Sequence, residues 1–150
     1  MSNEDKIFEM ETKIYLTRDV KEYRKIAKKL VSKDDIVLEV GCGFGKTSSL
    51  LSRIAKKVIG IDKSEEVIEN ARKLERNNLK FYLIDANEVR KLLKLREKFS
   101  VILLDISGSA RPWEVLRLSL KLIKVFKPKA LIIKNWKLKR FFENTRLVLS

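Results

Sequence analysis

Short apolar runs alternate with amphipathic segments along this chain. The runs at 36–40, 58–61, 81–84, 100–104 and 130–133 predict five short, buried strands. Apolar residues spaced by three and four predict the helices between them. These helices are expected at 19–31, after the glycine-rich turn through Ala55, from Ser64 to about Arg76, at 88–96, at 112–126 and at 138–142, with a short final strand at 147–149. Strands apolar on both faces that alternate with helices predict an α/β fold with a mostly parallel sheet.

Four of the predicted strands end in residues suited to ligand binding. A glycine-rich turn begins at Gly41, and Asp62, Asp85 and Asp105 each follow a strand directly. In a parallel sheet, ligands bind beyond the carboxyl ends of the strands, near the point where the strand order reverses. The pattern therefore predicts one ligand site at this edge of the sheet.

The turn Gly41-Cys-Gly-Phe-Gly45 lies between a strand and a helix. Glycine permits a tight turn and lets a ligand approach the backbone closely. Asp62 follows Gly41 by 21 residues, a spacing at which a carboxylate accepts hydrogen bonds from both ribose hydroxyls of a nucleoside. Together they predict an adenosine-type cofactor. Alternatively, Asp62 only caps the helix that follows, although Ser64 is placed for that role.

In these motifs the chain resembles the class I S-adenosylmethionine-dependent methyltransferases, over about residues 18–135. The resemblance implies a Rossmann-like three-layer sandwich with helices on both faces of the sheet, formed as a single domain over residues 1–150. The family's C-terminal strands are truncated here, so a partner chain is one way to complete the substrate side. The motifs are Val37-Leu-Glu-Val-Gly-Cys-Gly-Phe-Gly45, Val58-Ile-Gly-Ile-Asp62, Leu83-Ile-Asp-Ala-Asn87 and Val101-Ile-Leu-Leu-Asp105.

The resemblance also implies which residues bind the cofactor S-adenosylmethionine. Glu39 and the glycine turn border the methionine part, Asp62 the ribose, Asp85 the adenine, and Asp105 the methyl-transfer site. Cys42 belongs to this turn, with packing as its alternative role. The full set of expected cofactor residues is Glu39, Gly41, Cys42, Gly43, Gly45, Asp62, Lys63, Asp85, Ala86 and Asp105.

The composition narrows the chemistry further. One cysteine and no histidine among 150 residues exclude an internal disulfide, a Cys/His zinc cluster and histidine-dependent hydrolysis, and no metal site is predicted. Methyl transfer remains possible, because a sulfonium methyl is already activated and the protein mainly aligns donor and acceptor.

Three other classes of protein share part of the pattern. A P-loop nucleotide triphosphatase would need four residues between its first glycine and Gly-Lys-Thr, and this chain misses that spacing by one. A nicotinamide-dependent dehydrogenase normally has Gly-x-Gly-x-x-Gly and a second substrate-binding region. A non-catalytic cofactor-binding or interaction module of the same fold also stays open.

The charge is concentrated near the C-terminus. The net charge is +14, and residues 111–150 hold 11 basic residues against two acidic ones. Such asymmetry predicts a polyanionic partner such as RNA, while compositional bias towards lysine is the alternative explanation. Lys134, Lys137, Lys139 and Arg140 surround Trp136 and form the predicted phosphate-contacting patch, unless they are only a solvated helix face.

The methyl acceptor is the least constrained property. The sequence after Asp105 lacks the Pro-Pro-aromatic pattern of base-amino methylation, and Cys42 lies in the cofactor loop rather than near a target base. Asp105 and Lys134 resemble the acid and lysine of RNA ribose methyltransferases of the fibrillarin and heat-shock types. This resemblance implies that both residues are catalytic. Alternatively, Lys134 is merely one lysine near a strand end.

Trp113 and Trp136 either stack on a base or fill the core edge. RNA is the expected acceptor, with a small molecule or a protein as alternatives.

Hydropathy predicts a cytoplasmic protein without a membrane segment. No run approaches the roughly 20 apolar residues that span a bilayer. The first 14 residues contain four acidic ones, unlike a signal peptide.

Overall fold

The computed structural model describes residue 2, residues 11–106 and residues 110–149. Within these ranges the chain forms six strands and six α-helices. The strands are β1 (Lys13–Thr17), β2 (Ile36–Val40), β3 (Lys57–Asp62), β4 (Leu79–Leu83), β5 (Val101–Leu104) and β6 (Ala130–Lys134). The helices are α1 (Val20–Leu30), α2 (Lys46–Ser52), α3 (Glu65–Ala71) with a 3₁₀ turn at Arg72–Leu74, α4 (Val89–Leu93), α5 (Pro112–Phe126) and α6 (Trp136–Glu143).

The six strands form one sheet in the order β1-β6-β5-β2-β3-β4. All five strand pairs are parallel, with Val37 of β2 aligned to Val58 of β3 on one side and to Val101 of β5 on the other. The chain runs outward from β2 through β3 and β4, then returns to β5 on the opposite side of β2. The reversal of strand order therefore lies between β2 and β5, beside the glycine turn.

Helices cover both faces of the sheet, which confirms the predicted α/β sandwich. One apolar cluster packs Leu92 of α4 and Leu122 of α5 against the sheet. The second cluster packs Ala27 of α1, Leu51 of α2 and Ile68 of α3 against the other face. This double coverage explains why the central strands read as continuous apolar runs rather than alternating ones.

The helices begin where the sequence supplies caps. Asp19 accepts a hydrogen bond from the backbone of Glu22 at the start of α1, and Asn135 accepts one from Leu138 at the start of α6, both at 2.9 Å. Such caps satisfy backbone N–H groups that have no partner inside the helix. The longest helix, α5, has 15 residues, and none in the described ranges has the length and apolar character needed to cross a bilayer.

The edge strand β1 corrects the sequence-based prediction. It lies outside β6 and pairs with it in parallel, with Ile14 aligned to Leu131. The final strand expected at 147–149 is wrong: these three residues form no strand and are 85–95% exposed. The reason is that β1 already occupies the outer edge of β6, so the N-terminal segment supplies the sixth strand.

A buried carboxylate connects the segments at the amino ends of the strands, the edge opposite the predicted ligand site. Asp35 accepts hydrogen bonds from the Ser32 backbone at 2.7 Å and the Ser100 hydroxyl at 2.8 Å, and pairs with Lys129 at 2.8 Å. Burial by itself raises the pKa of Asp35, but these interactions outweigh it and lower the pKa below its ordinary value. The cluster ties together the segments that precede β2, β5 and β6, and so aligns the strands that carry the site.

Candidate active site

A cleft of about 450 Å³ opens at the carboxyl edge of the sheet. Its volume falls within the roughly 300–1,000 Å³ typical of small-molecule sites. The cleft is bordered by the ends of β2, β3, β4 and β5 and by one face of α5. Its lining residues are Val40, Gly41, Ile61, Asp62, Lys63, Ile84, Asp85, Ala86, Asn87, Asp105, Ile106, Ala110, Glu114, Arg117 and Leu118.

The glycine turn between β2 and α2 requires its glycines for different reasons. Gly41, Gly43 and Gly45 have φ angles of 76°, 54° and 86°, in the left-handed region that favours glycine. A Cβ on Gly41 would lie 1.9 Å from the backbone oxygen of Asp105, and one on Gly45 would lie 2.6 Å from the Phe81 ring. A Cβ on Gly43 would meet nothing within 4 Å. Two glycines therefore permit close packing, while Gly43 keeps open space in front of the turn.

Asp62 connects the glycine turn to the start of α3. Its carboxylate accepts hydrogen bonds from the backbone N–H of Gly43 at 3.1 Å and of Ser64 at 3.0 Å. Ser64 occupies the N-cap position of α3, but its side chain makes no capping hydrogen bond, contrary to the role expected for it. Asp62 thus lines the cleft and orders two of its walls.

Asp85 is held in a fixed orientation at the end of β4. One of its carboxylate oxygens, Oδ1, accepts hydrogen bonds from the Asn87 backbone at 2.9 Å and the Asn87 side-chain amide at 3.1 Å. These bonds close a short turn that also places Ala86 against the cleft. The segment predicted to contact adenine therefore borders the cleft.

Glu39 lies in the core beside the glycine turn rather than on the cleft surface. Its buried carboxylate accepts hydrogen bonds from the Tyr23 hydroxyl at 2.8 Å and the Ser48 hydroxyl at 2.7 Å. Burial, with a further contribution from the charge of Asp105, raises the pKa of Glu39 to about 7, although both hydroxyl donors oppose the shift. Glu39 therefore links α1, β2 and α2 through a network whose charge depends on pH.

Cys42 is a packing residue. It is 7% exposed and belongs to the apolar cluster beneath α1, α2 and α3. Burial raises the pKa of its thiol well above the ordinary value, so the reactive thiolate is disfavoured.

Of the ten predicted cofactor residues, six line the cleft; the four that do not are Glu39, Cys42, Gly43 and Gly45.

Asp105 and Lys134 form an ion pair across neighbouring strands. Asp105 follows β5 and Lys134 ends β6, where Leu104 and Ile133 are aligned in register. The Lys134 ammonium lies 3.2 Å from both carboxylate oxygens, and each side chain is about one-fifth exposed. Since Asp105 lines the cleft, the pair places a cation immediately beside it.

The predicted basic patch divides into paired and exposed cations. Lys139 pairs with Glu22 of α1 at 2.8 Å, so it fastens α6 to α1. Lys137 and Arg140 are exposed on α6. Lys134 is engaged with Asp105, so two of the four predicted residues lie on the solvated surface, an exposure that both a phosphate-contacting patch and a solvated helix face require.

Both tryptophans are exposed, contrary to a role at the core edge. Trp113 in the first turn of α5 is 56% exposed, and Trp136 in the first turn of α6 is 60% exposed. Each residue still buries about two-fifths of its surface, but the larger part of each indole is open to solvent. Both rings lie at the carboxyl edge of the sheet, because each follows a parallel strand.

One wall of the cleft is formed by helix α5, which was not predicted from the sequence to contribute to the site. Glu114, Arg117 and Leu118 of this helix line the cleft. Their spacing of three and four places them on one helical face, which is the signal that could have identified them. Leu118 packs in the apolar core and also lines the cleft, so it lies at the inner edge of the helix. Ile106 and Ala110 also line the cleft, while residues 107–109 lie outside the described part of the chain.

A family model described as a methyltransferase domain matches residues 31–146. The chain belongs to this methyltransferase family. The cofactor is S-adenosylmethionine, which supplies an activated methyl group. The site's construction fits that cofactor: a turn left open at Gly43, an acid at the end of the next strand, and a cleft of suitable size. Asp62 would hold the ribose, Asp85 and Ala86 the adenine, and Gly41 the side towards Asp105.

Known relatives of this domain differ in substrate. The chain is 41% identical over 76 residues to a 23S rRNA (uracil(1939)-C(5))-methyltransferase RlmD of Photobacterium profundum, covering 47% of this chain and 16% of that protein. It is 32% identical over 128 residues to the Saccharolobus solfataricus protein named "Probable cobalt-precorrin-6B C(15)-methyltransferase (decarboxylating)", covering 79% of this chain and 62% of that one. A dimethyladenosine transferase from Plasmodium falciparum superposes with a TM-score of 0.61 at 29% identity, over 87% of this chain and 47% of that chain. The chain is thus shorter than each of these proteins, spanning 16–62% of their lengths.

Proposed function

We propose that this domain transfers the methyl group of S-adenosylmethionine to RNA, at a ribose hydroxyl, with Asp105 and Lys134 as its catalytic residues. The observation that carries the proposal is the position of the ion pair. Asp105 lines the cofactor cleft, and the Lys134 ammonium lies 3.2 Å from both of its carboxylate oxygens. An acceptor hydroxyl bound at Asp105 would therefore lie beside both groups.

The pair suits a hydroxyl acceptor. A neutral hydroxyl is a poor nucleophile, and its reactivity rises as its proton is removed. The Lys134 ammonium donates to the acceptor oxygen and stabilises the negative charge that develops there, while the Asp105 carboxylate accepts the proton. The oxygen–carbon bond forms as the carbon–sulfur bond of the methyl donor breaks, and S-adenosylhomocysteine leaves. The two side chains therefore supply both functions that the reaction requires of the protein.

Charge supports a polyanionic acceptor. Residues 111–150 carry 11 basic and two acidic residues, and Lys137 and Arg140 are exposed on the helix that follows Lys134. Clustered cations of this kind bind phosphate backbones by releasing counterions. Similarity to an rRNA methyltransferase over 47% of this chain agrees with an RNA substrate.

Two alternative RNA chemistries have less support in this chain. Methylation at a base carbon through a cysteine adduct would need a reactive thiol near the base, whereas Cys42 is the chain's only cysteine and is buried with a raised pKa. Methylation of a base amino group is typical of a Pro-Pro-aromatic sequence after the fourth motif, and the sequence Asp105-Ile-Ser-Gly-Ser109 lacks it. A ribose hydroxyl is the acceptor that remains consistent with both observations.

The test is transfer of tritiated methyl groups from S-adenosylmethionine to total cellular RNA. A 2′-O-methyl group blocks alkaline cleavage of the adjacent phosphodiester, so the label is expected in alkali-resistant dinucleotides. Label in mononucleotides would place the methyl group on a base and overturn the ribose assignment. Label in protein, or none in RNA although the cofactor binds by calorimetry, would overturn the RNA assignment.

A small carbon acid is the second candidate, because the relative from Saccharolobus solfataricus aligns with 79% of this chain. That protein's name gives cobalt-precorrin-6B as its substrate. The exposed cations near the cleft would also suit a polycarboxylated acceptor. A small-molecule fraction of the same cell extract serves as the competing acceptor: label appearing there, and not in RNA, would establish this alternative.

A further inference from the structure

The chain's only two tryptophans occupy equivalent positions in the fold. Trp113 lies in the first turn of α5, the helix after β5, and Trp136 lies in the first turn of α6, the helix after β6. Since β5 and β6 are adjacent and parallel, both indoles lie at the same edge of the sheet. The Asp105–Lys134 pair joins the ends of these same two strands.

A positively charged side chain lies over each indole ring. The guanidinium of Arg111 lies 5.4 Å from the centre of the Trp113 ring, and the ammonium of Lys137 lies 5.8 Å from the centre of the Trp136 ring. Both distances are within the roughly 6 Å of a cation–π contact. The two rings are more than half exposed, so each presents a large apolar surface to solvent next to a positive charge.

Trp113 is adjacent in sequence to a residue that lines the cleft. Glu114, the next residue on α5, lines the cleft, whereas Trp113 faces outward beside it. Trp136 is separated from Lys134 only by Asn135, whose side chain caps α6 and fixes the helix start. Both indoles therefore lie in the first turns of the helices that follow the two strands joined by the Asp105–Lys134 pair.

An exposed aromatic ring beside a cation is the arrangement that binds unpaired nucleotides. A base stacks on the ring, and the cation contacts the adjacent phosphate. In an RNA duplex the base faces are already stacked on one another, so a duplex could engage only the cations. The two kinds of RNA are thus distinguished by whether the rings take part.

We propose that Trp113 and Trp136, with Arg111 and Lys137, bind two unpaired nucleotides on either side of the methylated one, so that the substrate is a single-stranded RNA segment. The proposal rests on the RNA methyl transfer proposed above and specifies the form of RNA that the same site accepts. The negative phosphates complement the basic surface of α6, whose exposed cations include Arg140.

The chain's own fluorescence reports on this contact. All tryptophan emission comes from residues 113 and 136, and stacking of a base on an indole quenches it. The probe is a single-stranded 12-nucleotide RNA of mixed sequence, compared with the same strand annealed to its complement. Saturable quenching by the single strand is expected, with at least tenfold weaker binding of the duplex. Equal affinity for the two forms, or binding without quenching, would overturn the proposal.

Variants assign the quenching to each ring. Trp113→Phe and Trp136→Phe each leave one emitting residue, and each is expected to keep part of the quenching and most of the affinity. Trp136→Ala and Trp113→Ala should each weaken single-strand binding about tenfold, the loss expected for one stacked base. Phe141→Ala is the matched control, because Phe141 is also exposed on α6 but lies about 140° around the helix from Trp136. Unchanged affinity in both alanine variants, or an equal loss in the Phe141 control, would contradict the proposal.

The methyl-transfer assay separates this proposal from the one on which it rests. Labelled methyl groups in RNA together with no quenching would show that the domain methylates RNA without these rings. Neither label in RNA nor RNA binding, with the cofactor still bound, would overturn both proposals.

Discussion

Gly41 packs directly against the backbone carbonyl of Asp105, so closely that a Cβ on Gly41 would lie 1.9 Å from that oxygen. The contact joins the first residue of the glycine turn to the acid that we propose for the methyl-transfer site. Asp105 in turn donates its backbone N–H to Val40 at 2.9 Å, which extends the β2–β5 pairing by one residue. The glycine turn and the proposed catalytic acid are therefore held together by backbone contacts that no side chain mediates.

Gly41→Ala should damage both the fold and cofactor binding. The added methyl group meets a backbone atom that cannot rotate away, and the φ of 76° adds strain, so a loss on the order of 3 kcal/mol in the free energy of unfolding is expected. Urea unfolding and calorimetric titration with S-adenosylmethionine measure the two effects.

Gly43→Ala is the matched comparison in the same turn. Its methyl group meets nothing within 4 Å, so the stability loss should be about 1 kcal/mol, from the left-handed φ alone. Cofactor affinity should fall less than in Gly41→Ala, because Gly41 lines the cleft and Gly43 does not. Equal stability losses in the two variants would show that the close contact at Gly41 has no energetic role.

Asp62→Ala should abolish measurable binding of S-adenosylmethionine while the circular dichroism spectrum stays native. The variant removes the carboxylate that is predicted to bind the ribose, which is also the acceptor for the Gly43 and Ser64 backbone N–H groups. Two charge-assisted hydrogen bonds to a ligand correspond to about 3 kcal/mol or more, or a loss of at least 100-fold in affinity. Asp34→Ala, at an exposed aspartate before β2, controls for the change in charge. Retained affinity in Asp62→Ala would contradict the site assignment.

The parts of the site that the sequence predicts are those fixed by local rules. Asp62, Asp85 and Asp105 follow short apolar strands, and parallel pairing brings strand ends to one edge whatever the remaining chain does. The glycine turn is equally local, because Gly41 and its neighbours need backbone angles that other residues rarely adopt. Sequence alone therefore locates the cleft and most of its lining.

The features that the sequence does not predict depend on distant contacts. Strand β1 is short, lies at the edge and pairs with β6 more than 110 residues later, so its pattern carries no signal of its own. The pairing of Lys139 with Glu22 likewise joins positions 117 residues apart. The exposure of Trp113 and Trp136 depends on what lies over them in the fold, and tryptophan is frequently buried, so hydropathy favours the wrong environment.

Glu39 should make stability depend on pH. Its pKa of about 7 in the folded protein lies above the ordinary value of 4.5, so the folded state binds the proton more tightly than the unfolded state does. The resulting stabilisation is fully present below pH 4.5 and is lost as the pH rises through 7, with a total loss on the order of 3 kcal/mol. Glu39→Gln keeps the shape without a titrating group, so the wild-type-minus-variant difference in unfolding free energy should fall across this interval. Parallel pH profiles for the two proteins would show that the Glu39 carboxyl group does not titrate differently on folding.

Lys134→Met should separate catalysis from cofactor binding. Loss of the ammonium removes stabilisation of charge on the acceptor oxygen, so kcat for RNA methylation should fall about 100- to 1,000-fold. The Kd for S-adenosylmethionine should change little, because Lys134 does not line the cleft. Initial rates at saturating cofactor and calorimetric titration measure the two quantities.

Lys129→Met provides the matched control for that substitution, since Lys129 also pairs with an aspartate, Asp35, but at the opposite edge of the sheet. Its side chain is more than half exposed and Asp35 keeps its hydrogen bonds from Ser32 and Ser100, but the buried carboxylate loses its cation, so the variant should lose on the order of 2 kcal/mol of stability. Its kcat should equal that of the wild type, because the ion pair is remote from the cleft. A similar fall in kcat for both lysine variants would mean that Lys134 acts through general stability; a fall confined to Lys134→Met, with the cofactor affinity preserved, places its ammonium at the reacting oxygen.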